Sequence, residues 1–282
     1  MAIFSGENRY MYLALSLARR SYRTVFPNPP VGAILVKNNR IIAFGAHKRF
    51  GEAHAERITL SGLSRRDIEG STMFVTLEPC NHTGNTPPCS ELLIDSGVSR
   101  IVIGAKDETA LAHGGAENLK KKGVLVEYSS ISDICEDFVR PWKKWMENKE
   151  KSIDMWSVVS LNGQVYQGEL NFNLSLTNAI NNIQRRGQYM LDHLDDLSSL
   201  DAYHVTIRGR TSSDFDIFSG NASSNSESIR PNNLYFIRLP VIAKEGVDWV
   251  TWGHRTECSL PQYSLLGLRK TGDIIIEKYS VK

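Results

Sequence analysis

Residues 72–105 constrain the fold more than any other stretch of the chain. "TMFVTLEPC" is an apolar run rich in β-branched residues that closes on Pro79-Cys80. "PPCSELLIDSG" follows, with Pro87-Pro88 at the entrance of a helix and Gly97 at its exit. "SRIVIGA" (99–105) is then a second short apolar strand. Strand, helix and strand in this order predict an α/β layer with a mostly parallel sheet, because parallel neighbours need a long crossover.

The flanking segments extend that layer. Residues 7–21 carry Met11, Leu13, Leu15 and Leu17-Ala18 as a helical stripe that ends in basic residues. "VGAILVKNNRIIAFGAH" reads as a β-hairpin turning at Lys37-Asn38-Asn39. A helix is expected over 54–63, another in "GAENLKKKG", and a strand in "VLVEY". Residues 130–151 are helical or extended and highly charged at their end, which places a domain junction there. The expected domains are 1–148 and 149–282. In the second, "SIDMWSVVSLNGQVY" predicts strand, turn at Asn162-Gly163, and strand. A helix is expected through 175–192, and "NLYFIRLPVIA", "DWVTW" and "DIIIEKYSV" are strand candidates. The polar stretch 219–228 has no means of building a core.

Charge and hydropathy exclude several classes. The formal net charge is +2, so no global field draws the chain to nucleic acid or a membrane surface. The first residues lack the apolar core of a secretion signal, and no run approaches the roughly 18 apolar residues of a membrane span. A cytoplasmic protein is expected, in which thiols stay reduced. A Cys80–Cys89 disulfide is therefore disfavoured against a metal or catalytic pair. Cys135 and Cys258 have no partner at a metal-like spacing and read as ordinary free cysteines.

A third ligand lies upstream in "GEAHAERITL". His54 with Cys80 and Cys89 makes a set of one nitrogen and two thiolates, which suits Zn²⁺ and leaves a fourth position for water. Glu56, two residues beyond His54, can stand beside the metal without ligating it and shuttle a proton. His54 would open one helix and Cys89 the next, and both helix N-termini favour thiolate over thiol. This is the H-x-E … P-C … C pattern of zinc deaminases, which hydrolyse an amino group from a nucleobase-like ring. A lone His-x-Glu is common by chance, and both halves in this order are not. A structural zinc with His82 as fourth ligand is the bland alternative; a His82 that lines the pocket or orients its loop is preferred. The five tryptophans, Trp142, Trp145, Trp156, Trp249 and Trp252, are assigned to core or interface.

"PNPPVGAILVKNNRIIAFGAHKRFGEAHAERITL" and "TMFVTLEPCNHTGNTPPCSELLIDSGVSRIVIGAKD" resemble the deaminase domain of the bifunctional riboflavin-biosynthesis deaminase–reductase family, over roughly residues 7–129. The resemblance implies a cytidine-deaminase-like three-layer α/β/α sandwich. It implies hydrolytic deamination of 2,5-diamino-6-ribosylamino-4(3H)-pyrimidinone 5′-phosphate. Matched residue by residue, His54, Cys80 and Cys89 are the zinc ligands and Glu56 is the proton shuttle. Asn28 and His47 match residues at the substrate, as does the backbone around Glu78-Pro79. The eight residues between Cys80 and Cys89 suit a loop closing over a small ligand better than an open groove for a polynucleotide.

The chain departs from the family in three places. The loop position that usually carries a basic residue for the substrate's phosphate is Asn85 here; Lys48, Arg49 and Arg57 are candidates to compensate, against the reading of each as a solvated surface charge. The usual D-P-N-P reads Asp107-Glu108-Thr109-Ala110, so Asp107 is kept as a substrate-side residue without its prolines. In the second half, "SVVSLNGQVY" and "DAYHVTIRGRTSSD" resemble parts of a dihydrofolate-reductase-like domain, with Asn162 for an aspartate. No Gly-Gly opens a helix after a late strand there, so a smaller, degenerate reductase-like α/β domain without NADPH chemistry is expected.

The leading expectation is a zinc-dependent deaminase of a pyrimidine nucleotide, assembled as a dimer or tetramer. The alternatives are a relative acting on a different or unphosphorylated ring, and a non-catalytic binding module of the same fold.

Overall fold

A computed structural model describes residues 6–83, 87–109 and 112–159, and beyond them the backbone of strands at 164–165, 189–191, 204–208, 233–238, 247–248, 263–271 and 274–281. The chain divides into two compact units, Met1–Glu150 and Lys151–Lys282.

In the first unit, helix α1 (Asn8–Ser21) buries Tyr10, Met11, Ala14, Leu15 and Ala18, the three-and-four spacing of one helical face. The hairpin of β1 (Gly32–Lys37) and β2 (Arg40–Ala46) turns at Asn38 and Asn39, with φ of 50° and 59°. Two consecutive left-handed residues give the turn whose twist matches its strands, and asparagine tolerates that region. Then come α2 (Ala55–Leu60), α3 (Arg65–Ile68), β3 (Thr72–Leu77), α4 (Cys89–Ser96), β4 (Arg100–Ala105), α5 (Gly115–Lys121), β5 (Leu125–Tyr128) and α6 (Ser132–Asn148).

The sheet order is β2-β1-β3-β4-β5. β1 is antiparallel to both β2 and β3, whereas β3, β4 and β5 run parallel. Helices α1 and α6 cover one face and touch through Tyr22 and Phe138, whose ring centroids lie 5.4 Å apart. Helices α2, α4 and α5 cover the other face. Met73, Phe74, Leu35, Ile101 and Ile103 form the centre of the core between the layers. The first unit is therefore the three-layer α/β architecture expected of residues 1–148.

Two local expectations need correction. The helix expected over 54–63 stops at Leu60, because Ser61 is extended and Gly62 takes a φ of 77°. A separate short helix, α3, follows, capped reciprocally by Ser64 and Asp67. Its single turn is too short to show a period in the sequence.

The second unit contains a mixed sheet. Its main path is β11 (Val247–Asp248), β7 (Gln164–Val165), β6 (Ser152–Val159), β10 (Asn233–Arg238), β13 (Ile274–Val281) and β12 (Tyr263–Thr271). Strand β9 (His204–Arg208) also pairs with β6, and β8 (Tyr189–Leu191) with β9, both parallel. Residues 189–191 are thus strand where the sequence suggested the end of a helix through 175–192; the pairing with β9 overrides local propensity. Residues 175–188, Asn162-Gly163, 219–228, Trp249, Trp252 and Cys258 lie outside the described residues, as do the side chain of Trp156 and most of what bears on a reductase-like domain. Trp142 is buried, and Trp145 packs on Phe26 with centroids 5.5 Å apart. Among the described residues no helix is long and apolar enough to cross a membrane.

Candidate metal and active site

The site arises from the antiparallel placement of β1 between β2 and β3. Pairing of Gly32 with Ala46 and of Ala33 with Val75 sets the start of β1 beside the ends of both neighbours. Asn28 just before β1, His47 just after β2 and Cys80 just after β3 therefore come to one edge of the sheet. Ligands in open α/β sheets bind at this edge, outside the carboxyl ends of the parallel strands.

Helix α2 reaches the same edge because Gly45 lets it lie on β2. A Cβ there would stand 2.8 Å from the Ala55 carbonyl oxygen. His54 is the N-cap of α2, and its side chain makes no capping bond, which leaves the ring free to face the cysteines. Cys89 is the first residue of α4, after Pro88 at its N-cap. Gly115 holds the third wall: a Cβ would fall 1.8 Å from the Pro79 carbonyl oxygen, so α5 packs directly on the Pro79-Cys80 backbone.

His54 Nδ1 lies 3.6 Å from Cys80 Sγ and 3.4 Å from Cys89 Sγ. The three donor atoms all fall within 4.8 Å of one another. Tetrahedral zinc bonded to one nitrogen and one thiolate separates those atoms by about 3.6 Å. The cluster fits that geometry with three donors, and no fourth His, Cys, Asp or Glu joins it among the described residues.

The electrostatics favour a cation. A hydrogen bond from the Cys89 thiol, together with those from His54 and the Cys89 backbone N–H, pulls the Cys80 thiol down to about 4. Cys89 is pushed the other way, because its proton is held by the Cys80 thiolate and the group is buried. His54 is raised by its hydrogen bond to Cys80. The neighbours of the Cys80 sulfur thus favour its thiolate form. A dication replaces such shared protons and takes both sulfurs as ligands.

Glu56 is buried beside this set, 3% exposed. Burial raises its pKa, and the positive charge of His54 opposes that rise. A carboxyl group that holds a proton readily, next to a metal set, has the properties of a general acid–base.

Asn28 and His47 are joined to each other. The Asn28 amide Nδ2 lies 3.1 Å from His47 Nε2, and His47 Nδ1 lies 3.1 Å from the Ala53 carbonyl oxygen. A carbonyl only accepts, so Nδ1 carries the proton and Nε2 accepts from Asn28. Burial lowers the His47 pKa, in keeping with a neutral ring. The pair thereby ties the strand edge to the residue preceding His54, and the His47 and His54 rings meet edge-on at 5.5 Å.

The remaining candidates are placed differently. His82 is half-buried, its Nδ1 buried without a hydrogen-bond partner among the described residues. Asn85 lies outside the described residues. Asp107 is buried, and its Oδ1 accepts from the Thr109 N–H and hydroxyl at 2.9 and 2.6 Å. That carboxylate shapes the loop after β4.

Sequence reasoning missed the group that supports this wall. Glu78 Oε1 accepts from Ala116 N–H at 2.9 Å, and Oε2 from Asp107 N–H at 3.3 Å. Asn81 Oδ1 accepts from the Ser90 hydroxyl and from the Asn118 amide, at 2.8 and 3.2 Å. Their partners lie 9 to 38 residues away, and no local pattern announces them.

Residues 5–105 match the family model of the cytidine and deoxycytidylate deaminase zinc-binding region. The diaminohydroxyphosphoribosylamino-pyrimidine deaminase of Buchnera aphidicola subsp. Schizaphis graminum is 38% identical over 138 residues, 49% of this chain and 93% of that protein. The riboflavin biosynthesis protein RibD of Aquifex aeolicus is 41% identical over 135 residues, 48% of this chain and 36% of that protein. The match thus spans well under half the length of that RibD relative. A solved deaminase/reductase from Thermotoga maritima, a diaminohydroxyphosphoribosylaminopyrimidine deaminase/5-amino-6-(5-phosphoribosylamino)uracil reductase, superposes with a TM-score of 0.76 at 21% identity. It covers 97% of this chain and 98% of its own, a likeness of fold. Through its first unit, the chain belongs to the diaminohydroxyphosphoribosylaminopyrimidine deaminase family.

Proposed function

We propose that the first unit is a zinc-dependent hydrolytic deaminase of an aminopyrimidine ribonucleotide, 2,5-diamino-6-ribosylamino-4(3H)-pyrimidinone 5′-phosphate, in riboflavin biosynthesis. The juxtaposition of buried Glu56 with His54, Cys80 and Cys89 carries this reading. The names of the relatives supply the substrate class.

His54 Nδ1 and the sulfurs of Cys80 and Cys89 would hold zinc, which when bound supplies a water acidified to near-neutral pH. Glu56, beside the three donors, would take a proton from water as the water oxygen adds to the amino-bearing ring carbon. Glu56 would then pass that proton to the departing nitrogen, and the second proton of the water ends on the adjacent ring nitrogen, so that water and the ring N=C–NH₂ become a ring NH–C=O and ammonia. Its raised pKa suits both directions of transfer. Asn28, its NH₂ engaged by His47, presents its amide oxygen to a donor on the substrate.

Asn85, an amide in the loop between the two cysteines, favours a second reading in which the ring is unphosphorylated. Ammonia release by the zinc-loaded full chain, given the ribotide and its dephosphorylated form, tests both. Release from the ribotide supports the first reading, and release from the riboside alone supports the second. No release from either, with zinc stoichiometrically bound, overturns both.

A further inference from the structure

The loop between the two cysteines carries no lysine or arginine: residues 81–88 read Asn-His-Thr-Gly-Asn-Thr-Pro-Pro. A phosphate arriving with the substrate must therefore find its cation on another element. Three basic side chains flank the site in sequence, Lys48, Arg49 and Arg57. Lys48 and Arg49 are exposed on the connection from β2 to α2, where their backbone carbonyls accept from the Thr24 hydroxyl and the Glu52 N–H. Arg57 is different. It follows Glu56 in the first turn of α2, is half-buried, and its Nη2 donates to the Pro87 carbonyl oxygen at 3.3 Å.

That bond stretches the guanidinium across the gap between α2 and the start of α4, the two helices that carry His54 and Cys89. The positive charge is near enough to oppose protonation of His54. The ion pairs of the first unit involve Arg100, Lys106, Arg140 and Lys143, and none pairs Arg57 with a carboxylate among the described residues. One long bond to a neutral carbonyl leaves most of its N–H donors free. An arginine that pairs with no carboxylate among the described residues, held beside His54 and Cys89, has the fork geometry that binds phosphate through two parallel hydrogen bonds.

We propose that Arg57 is the specificity-determining cation of this site: it binds the 5′-phosphate of the ribotide and makes the enzyme select the phosphorylated substrate. This rests on the reading of the site as an aminopyrimidine nucleotide deaminase. The ring sits against Glu56, and the phosphoribosyl arm leaves between α2 and α4, where Arg57 closes on it.

The test compares kcat/KM for the ribotide and the riboside in the zinc-loaded full chain, wild type, Arg57→Gln and Arg57→Lys. The wild type is expected to prefer the ribotide. Arg57→Gln lowers the ratio of the two kcat/KM values by about 10- to 100-fold, chiefly through KM of the ribotide. Arg57→Lys restores part of it, since it keeps a point charge. Turnover with an unchanged ratio in Arg57→Gln overturns the assignment and leaves the deaminase reading intact. Calorimetric binding of ribose 5-phosphate to the same proteins decides independently of turnover. If the wild type deaminates neither form, the proposed reaction falls. Ribose 5-phosphate binding that Arg57→Gln abolishes still supports a phosphate site. Binding that is absent from the wild type, or equal in both, overturns it.

Discussion

Glu56 and Glu78 are both buried carboxylates at the same edge of the sheet, 3% and 5% exposed. They have opposite surroundings. Glu78 receives two backbone N–H groups, from Ala116 and Asp107, and so joins the loop after β4 to the start of α5. Glu56 receives no backbone N–H from another element among the described residues; its neighbours are the Cys89 thiol and the charges of His54 and Cys80. A buried carboxylate saturated by backbone donors is a structural strap. One left facing thiols and an imidazole is suited to exchange protons. Burial is common to both, so the partners and not the burial distinguish the two glutamates.

The largest effect is expected from the cluster on which Glu56 depends. Cys80→Ala should abolish zinc binding, read by metal analysis, and bring ammonia release to background. Retained stoichiometric zinc would break the assignment of Cys80. Next, Glu56→Gln should keep zinc and lower turnover by about 10²–10⁴-fold. Near-full activity in that variant would put Glu56 in the same class as Glu78.

Glu78→Gln should show the converse. Its NH₂ would face a backbone N–H, costing about 1–3 kcal/mol of stability in denaturant unfolding. Zinc should stay bound, and the loss of turnover should be much smaller than for Glu56→Gln. The contrast fails if Glu56→Gln proves the more destabilising of the two.

The smallest effect belongs to an exposed carboxylate. Arg100 holds the Glu7 pKa below the ordinary glutamate value, chiefly by its hydrogen bonds. Glu7 is 56% exposed, so water screens the pair, and Glu7→Gln should cost under about 1 kcal/mol at neutral pH. A depressed acid contributes stability above its unfolded pKa and loses it as pH falls through the lowered folded value. The variant and the wild type should therefore converge in acid. A difference that persists there would mean that the contribution is not electrostatic.

Much of the first unit was legible because its signals are local. The α1 stripe, the Asn38-Asn39 turn, Pro88 before α4 and Gly97 after it each act within a few residues. Helix α3 escaped because four residues show no period, although Ser64 and Asp67 spell a cap. Strand β8 escaped because its place is set by pairing with β9, beyond any local propensity. His54, Cys80, Cys89 and Glu56 were readable as a set because donor chemistry and order limit what such residues can do together. Glu78 was not, since "LEP" reads as the end of a strand and its partners lie 29 and 38 residues further on.

The sequence by itself determined the donor types, the helix starts that present two of them, and the α/β alternation that puts the donor cluster at strand ends. Those are properties of residues and their near neighbours. Only the tertiary structure decided that β1 runs antiparallel between β2 and β3, which brings Asn28, His47 and Cys80 to one edge. It also decided which buried glutamate is saturated by backbone donors and which arginine crosses to Pro87. Strand order and the hydrogen bonds that cross it join residues far apart in the chain, and such pairings leave no trace in local composition or period.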